Sequence, residues 1–376
     1  AMKGVIFLLG LVVLGALVGV VVASAGAVRR PVVPAMFVLG DSTLDVGNNN
    51  HLPGEDVPRA NQPFYGVDFP GRAIATGRFS NGYNIADFIG KYLGFEKSPL
   101  AYLVLKSRNY LIPSALTRGV SYASAGAGIL DYTSEGISIP LSKQVRYFAA
   151  TKAEMEAAVG RGNVSRLLAH SFFLLGVGSN DLFQSTATTQ GDVIALYTAL
   201  ISNYTTAITD LYGMGARKFG FISVSPLGCV PAVRVLNATG ACNDAMNQIA
   251  MGFTATLKSA LAGLAPKLPG LAYSLGDSFA ALETTFSNPQ AAGYENADSA
   301  CCGSGRLGAE GGYCTRNSKL CADHDAYVYW DWIHSTQRAA ELGAQALFNE
   351  GPAQVTAPIS FGQLISRCIK SLHART

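Results

Sequence analysis

A serine stands directly behind a glycine and an aspartate in the stretch Gly40-Asp41-Ser42-Thr43-Leu44-Asp45-Val46-Gly47-Asn48-Asn49-Asn50. The short apolar run Met36–Leu39 precedes it and has the length and composition of a buried strand. A hydroxyl lifted off the end of such a strand enters a cleft, and it becomes a nucleophile once a base takes its proton. A base with its own orienting group occurs near the C-terminus, in Tyr329-Trp330-Asp331-Trp332-Ile333-His334, where the carboxylate of Asp331 can hold the ring of His334 from within one turn. Two further segments offer donors to a developing oxyanion. Ser121–Gly128 offers small residues whose backbone N–H groups can approach a ligand closely. The apolar run Ser171–Val177 ends in Gly178-Ser179-Asn180-Asp181, which aims a carboxamide at the same side. Nucleophile, paired base and oxyanion donors are the parts that acyl transfer requires. Singly, each has an ordinary explanation: a turn, tight packing at Gly126 and Gly128, a helix cap at Asn180-Asp181, a core imidazole. Their order along the chain, with several placed after a strand-like run, makes the combination specific.

The elements that must position these groups alternate. Strand-like runs at Met36–Leu39, Ser171–Val177, Lys218–Val224 and Leu271–Leu275 are separated by helical patterns over Ile139–Val159, Val193–Tyr212 and Asp244–Leu264. A last helix is expected to start near Ser335-Thr336, a good N-cap, and to run to Phe348. Strands alternating with helices imply a parallel sheet covered on both faces, whose ligands bind beyond the carboxyl ends of the strands. No linker of low complexity and no internal repeat interrupts the pattern, so residues 28–376 are expected to form a single domain.

Across the 376 residues only 14% are charged, the formal net charge is +3, and there are 41 glycines. An ordinary globular chain carries about 25% charged residues. Near-neutrality without a basic run argues against a nucleic-acid partner. Residues 1–27 carry one charge, Lys3, then an apolar run from Val5 to Val22 and a small-residue exit, Ala23-Ser24-Ala25-Gly26-Ala27. This is the plan of a secretory signal peptide, with cleavage expected after Ala25 or Ala27. The alternative is an uncleaved anchor, against which stand the glycines within the run and Arg29-Arg30 beyond it. No later stretch is long and apolar enough to span a bilayer.

Export agrees with the cysteines. Of the seven, Cys301, Cys302, Cys314 and Cys321 crowd a glycine-rich loop, Cys229 and Cys242 can close a short one, and Cys368 is the odd thiol. In an exported chain such a loop is stapled by disulfides. A zinc site using Cys314, Cys321 and His324 is the competing reading; its spacing matches no familiar finger. The sequons at Asn163, Asn203 and Asn237 are candidate glycan acceptors.

The assembled motifs resemble the plant-type GDSL esterase/lipase family of the SGNH hydrolase superfamily, over about Phe37–Phe348. Besides the segments above, the resemblance includes Tyr65-Gly66-Val67-Asp68-Phe69-Pro70, Thr76-Gly77-Arg78-Phe79-Ser80-Asn81-Gly82, Pro226-Leu227-Gly228-Cys229-Val230-Pro231 and Ala300-Cys301-Cys302-Gly303. It implies an α/β fold, a three-layer α/β/α sandwich with a flavodoxin-like parallel sheet. By motif match Ser42 would be the nucleophile, His334 the general base and Asp331 its orienting acid. The backbone N–H groups of Ser42 and Gly126 and the Asn180 side chain would form the oxyanion hole. No metal or organic cofactor is implied. Substrates would be acyl esters, of lipid type by family frequency; carbohydrate or phenolic esters and acyl transfer to an alcohol use the same site. Trp330 and Trp332, flanking Asp331, are candidates for an acyl pocket. A catalytically silent extracellular binding protein is the alternative of another class. The chain departs from the family pattern in three places: Ser121 where the family usually has Asn, His334-Ser335-Thr336-Gln337 in place of His-Pro-Thr-Glu, and a second Leu-Gly-Asp-Ser at Leu275–Ser278. The second copy lacks the following Asp and Asn residues, so Ser42 is preferred to Ser278.

Overall fold

Residues 31–71, 75–348 and 355–366 are described by a computed structural model. The leader 1–27, including both proposed cleavage points, and Cys368 lie outside the described residues.

Five short strands make the central sheet: β1 (Met36–Gly40), β2 (Gly119–Ser121), β3 (Phe172–Gly176), β4 (Lys218–Ile222) and β5 (Ala272–Gly276). All neighbouring pairs among them are parallel, in the order β5-β4-β3-β1-β2. A two-residue edge strand, Thr356–Ala357, pairs antiparallel with β5. Read from the other edge, the parallel order is 2-1-3-4-5, the flavodoxin-like arrangement. Its switch point lies between β1 and β3, where chain connections leave in opposite directions and open a crevice at the strands' carboxyl ends.

Alternation along each strand builds the layers, because successive side chains point to opposite faces. Phe37, Leu39, Phe173, Leu175, Phe219 and Phe221 join the larger core with residues of the helices Leu141–Val159, Gln190–Gly213 and Asp244–Leu264. Met36, Val38, Phe172 and Leu174 face the other way, onto Ile85–Tyr92, Gln337–Phe348 and Phe361. Both faces are therefore covered, and β1 and β3 are buried along their whole length. The helical patterns read from the sequence correspond closely to these helices. β2 was not foreseen: three residues are too few to carry a periodicity. The short helices Tyr102–Ser107 and Leu111–Thr117 escaped for the same reason.

The cysteines are paired Cys229–Cys242, Cys301–Cys321 and Cys302–Cys314, spanning 13, 20 and 12 residues. Loops of this size limit the unfolded chain by about 3 kcal/mol each in the chain-entropy account. Cys314 and Cys321 thus sit in separate disulfides and supply no thiolates, which removes the zinc alternative; His324 instead contacts Asp68, Nδ1 to Oδ2 at 2.6 Å. Among the described residues no helix is long and apolar enough to cross a membrane.

Candidate active site

Ser42 leaves the carboxyl end of β1, next to the switch point. Its approach depends on Gly40, where a Cβ would stand 2.3 Å from the carbonyl oxygen of Gly176 on β3. Only glycine lets the two strand ends close so tightly. Beyond it the chain makes a single turn, with the N–H groups of Leu44 and Asp45 donating to the carbonyl of Asp41. The turn holds Ser42 half-buried, neighbouring the buried Asp41.

The rest of that motif is a bracket. The carboxylate of Asp45 accepts from the N–H groups of Gly47 at 2.7 Å, Asn48 at 2.8 Å, Asn49 at 3.4 Å and, across the crevice, Ala125 at 3.2 Å. Asn48 Nδ2 donates to the carbonyls of Ser121 and Ala123, and Asn49 Nδ2 to that of Ala125. The loop after β1 is thereby tied to the loop after β2 and sets Gly126 beside the crevice. Gly126 has φ +83°, a left-handed backbone that turns the chain at that point. Neither the Ser42 N–H nor the Gly126 N–H has a partner among the described residues.

Asn180 follows β3, which pairs directly with β1. One of its amide hydrogens is donated to the carbonyl of Ala127 at 2.9 Å, and the other has no partner among the described residues. Asp181, next in sequence, accepts from the N–H groups of Ile129 and Leu130 and from the Thr133 hydroxyl. The carboxamide is therefore locked to the same segment as Gly126.

His334 and Asp331 form a buried pair, with Nδ1 at 2.8 Å from Oδ2 and 2.9 Å from Oδ1. Asp331 Oδ1 also accepts from the N–H groups of Ile333 and His334, and Oδ2 from the Tyr65 hydroxyl at 2.6 Å. An acceptor surrounded by donors dictates that Nδ1 carries the imidazole hydrogen, assigned from the network. Nε2 is then the basic nitrogen, and it is buried without a hydrogen-bond partner. Phe79 lies against the ring at 4.7 Å between centroids, and Tyr313 at 6.1 Å. Burial, and next the Asp331 charge, push the Tyr65 hydroxyl well above its ordinary range, so it stays a donor.

Tyr65 and Phe79 were quoted in the sequence motifs without a role, because nothing local to either links it to a residue more than 250 positions away. The C-terminal departure leaves the start of the last helix held in place. The hydroxyl of Thr336 accepts from the N–H of Ala339 and caps the last helix. Gln337 Oε1 accepts from the N–H of Tyr83, a contact a Glu would also make. Ser121, in place of the usual Asn, is buried in β2 with its hydroxyl unpartnered.

The tryptophan expectation needs correcting. Trp330 is fully buried, in the cluster that contains Tyr65, Phe79, Cys301, Cys302 and Cys314. Trp332 packs edge-on against Tyr313. Neither is among the residues that line the cleft flanking Ser42, because the turn carrying Asp331 directs both indoles toward the disulfide-bonded segment. The second Leu-Gly-Asp-Ser ends β5, three strands from β1, so Ser278 lies roughly 14 Å from Ser42 across the sheet. Its N–H donates to the Ser223 hydroxyl.

Burial also marks Asp41, whose carboxyl is pushed up to about 6 against the opposing hydrogen bonds from Thr43. A native value above the unfolded one contributes stability that is complete at low pH and lost as pH rises through about 6. Asp41→Asn should therefore stabilise the fold, relative to wild type, by up to about 3 kcal/mol more near pH 8 than near pH 4. Denaturant unfolding of both proteins at the two pH values measures this; a constant difference would refute it.

A flavodoxin-ordered sheet with a strand-end serine and an aspartate-held imidazole at its carboxyl edge defines the SGNH class of ester hydrolases. The model of the family described as GDSL-like lipase/acylhydrolase matches residues 36–347, and the chain belongs to that family. It is 34% identical to a GDSL esterase/lipase of Arabidopsis thaliana, over 83% of this chain and 88% of that protein. A second such protein from the same plant is 35% identical over 88% and 87%. The anther-specific proline-rich protein APG of Brassica napus is 35% identical over 85% and 72%.

Proposed function

We propose that the chain hydrolyses acyl esters, of lipid type, through an acyl-enzyme on Ser42. The observation that carries this reading is His334, buried, with Nδ1 held by Asp331 and Nε2 left without a partner. In the first step Nε2 takes the Ser42 hydroxyl proton as Oγ bonds to the ester carbonyl carbon. The oxyanion is met by the N–H groups of Ser42 and Gly126 and by the Asn180 amide. Collapse breaks the bond to the alcohol oxygen, which receives the proton from Nε2. Water then attacks the acyl-enzyme and gives its proton to Nε2, and the acid leaves as Ser42 regains a proton. The imidazolium formed in each step is stabilised by Asp331, itself held by Tyr65.

The word lipase in the relatives' names supports the lipid-type reading. Three disulfides, together with sequons exposed at Asn163, Asn203 and Asn237, support secretion. The test is turnover of chromogenic acyl esters by wild type and Asn180→Ala. Loss of one oxyanion donor should lower kcat about 100- to 1000-fold while KM changes little. Unchanged kcat would remove Asn180 from the mechanism.

A further inference from the structure

We propose that the cleft between the helices Ser278–Ser287 and Gln337–Phe348 holds the acyl chain of the substrate, and that Gly343 and Leu282 determine how long a chain it takes; this rests on the ester hydrolase reading above. The cleft has a cavity volume of about 210 Å³ and opens partly to solvent. Ser42, Asn180 and His334 do not themselves line it, but it comes within one residue of each: its lining includes Asp41 and Thr43 on either side of Ser42, Ser179 before Asn180, and Ile333 and Ser335 on either side of His334. From there it runs over the carboxyl ends of β3 and β4, past Ile222 and Val224, toward Leu282 and Leu342. Aliphatic side chains make up about half of its lining and most of its far end, with serine and threonine hydroxyls among the rest. Asp41, the carboxylate among these residues, is buried and turned to its own loop by the Thr43 hydrogen bonds.

Such a space suits an unbranched alkyl chain with no polar end. The ester has two sides that could supply one, and the two steps of the reaction distinguish them. The alcohol departs toward Nε2, and water must take its place there before deacylation. That side has to stay wettable, whereas the group that remains bonded to Ser42 can occupy an apolar cleft throughout. The acyl chain is the group that remains. The rings of Phe79 and Tyr313 stand against His334, and neither residue lines the cleft.

Gly343 is a point where the length of the cleft can be changed cleanly. A Cβ there meets Ile85 Cδ1 at 3.5 Å and nothing closer. It stands in mid-helix, where leucine is a better helix former than glycine, so Gly343→Leu adds bulk at no cost to the backbone.

The experiment measures kcat/KM for p-nitrophenyl esters from acetate to dodecanoate, and for acetate esters of alcohols of matching lengths. Burying a methylene is worth up to about fourfold, so the acyl series should climb steeply while the alcohol series stays flat. Gly343→Leu and Leu282→Phe should lower the dodecanoate-to-butyrate ratio at least tenfold, with thermal unfolding checked for each variant. A climb in the alcohol series instead, a flat acyl series, or an equal loss at all acyl lengths would overturn the proposal. If wild type cleaves no ester, the hydrolase reading falls by itself. The cleft is then judged by calorimetric binding of dodecanoate: binding that Gly343→Leu abolishes upholds it, and no binding to wild type overturns it.

Discussion

Ser42→Ala is expected to lower kcat for a p-nitrophenyl ester by at least about 10⁴-fold, with Ser278→Ala keeping most of the activity. In the proposed mechanism the first change removes the one atom that bonds covalently to the substrate, so that only the binding and oxyanion contribution survives. The second follows from position. Both serines follow a Gly-Asp pair at the end of a strand. Ser42 lies at the switch point beside β3 and Asn180, whereas Ser278 lies beyond β4, its N–H bound to Ser223. A fluorophosphonate should label wild type on the peptide containing Ser42 and leave Ser42→Ala unlabelled. Full activity in Ser42→Ala, or label on Ser278, would refute the assignment.

Asp331→Asn is expected to cost about 10⁴-fold in kcat with little change in KM. The hydrogen bonds explain why so conservative a change is so damaging. Oδ1 accepts from the N–H groups of Ile333 and His334, so the amide oxygen must occupy that position. The new NH₂ then stands where Oδ2 receives the Tyr65 hydroxyl and lies 2.8 Å from Nδ1. The amide oxygen stays 2.9 Å from Nδ1, so both tautomers become available; whenever the NH₂ donates to Nδ1, the hydrogen moves to Nε2. A protonated Nε2 cannot take the proton of Ser42. A kcat within tenfold of wild type would mean that Asp331 does not determine the tautomer.

Much of this was legible along the chain, and for a common reason. β1, β3, β4 and β5 and the long helices show apolar runs or periodicities because their burial is repeated residue after residue. The candidate site residues stood out because Ser42, Asn180 and the Asp331–His334 pair follow or sit within short motifs, each complete in itself. The bracket Asp45, Asn48 and Asn49 stood in view as part of a motif, but its partners at Ser121, Ala123 and Ala125 are tertiary. The tryptophans misled because adjacency to Asp331 in sequence does not say which way a turn points its side chains.

The amino-acid sequence by itself determined the layered α/β class and the family, and it set Ser42, Asn180, Asp331 and His334 in the motifs proposed to carry the chemistry. These depend on local patterns and on residue types whose reactivity is intrinsic. Only the tertiary structure decided which cysteines pair, that Tyr65 holds Asp331, that Phe79 backs the imidazole, and that an apolar cleft lies beside Ser42 between two helices distant in the chain. Each of these is a meeting of segments whose positions are set by how side chains fill a common core. That filling is a property of the whole packed chain and leaves no periodic trace in any one stretch.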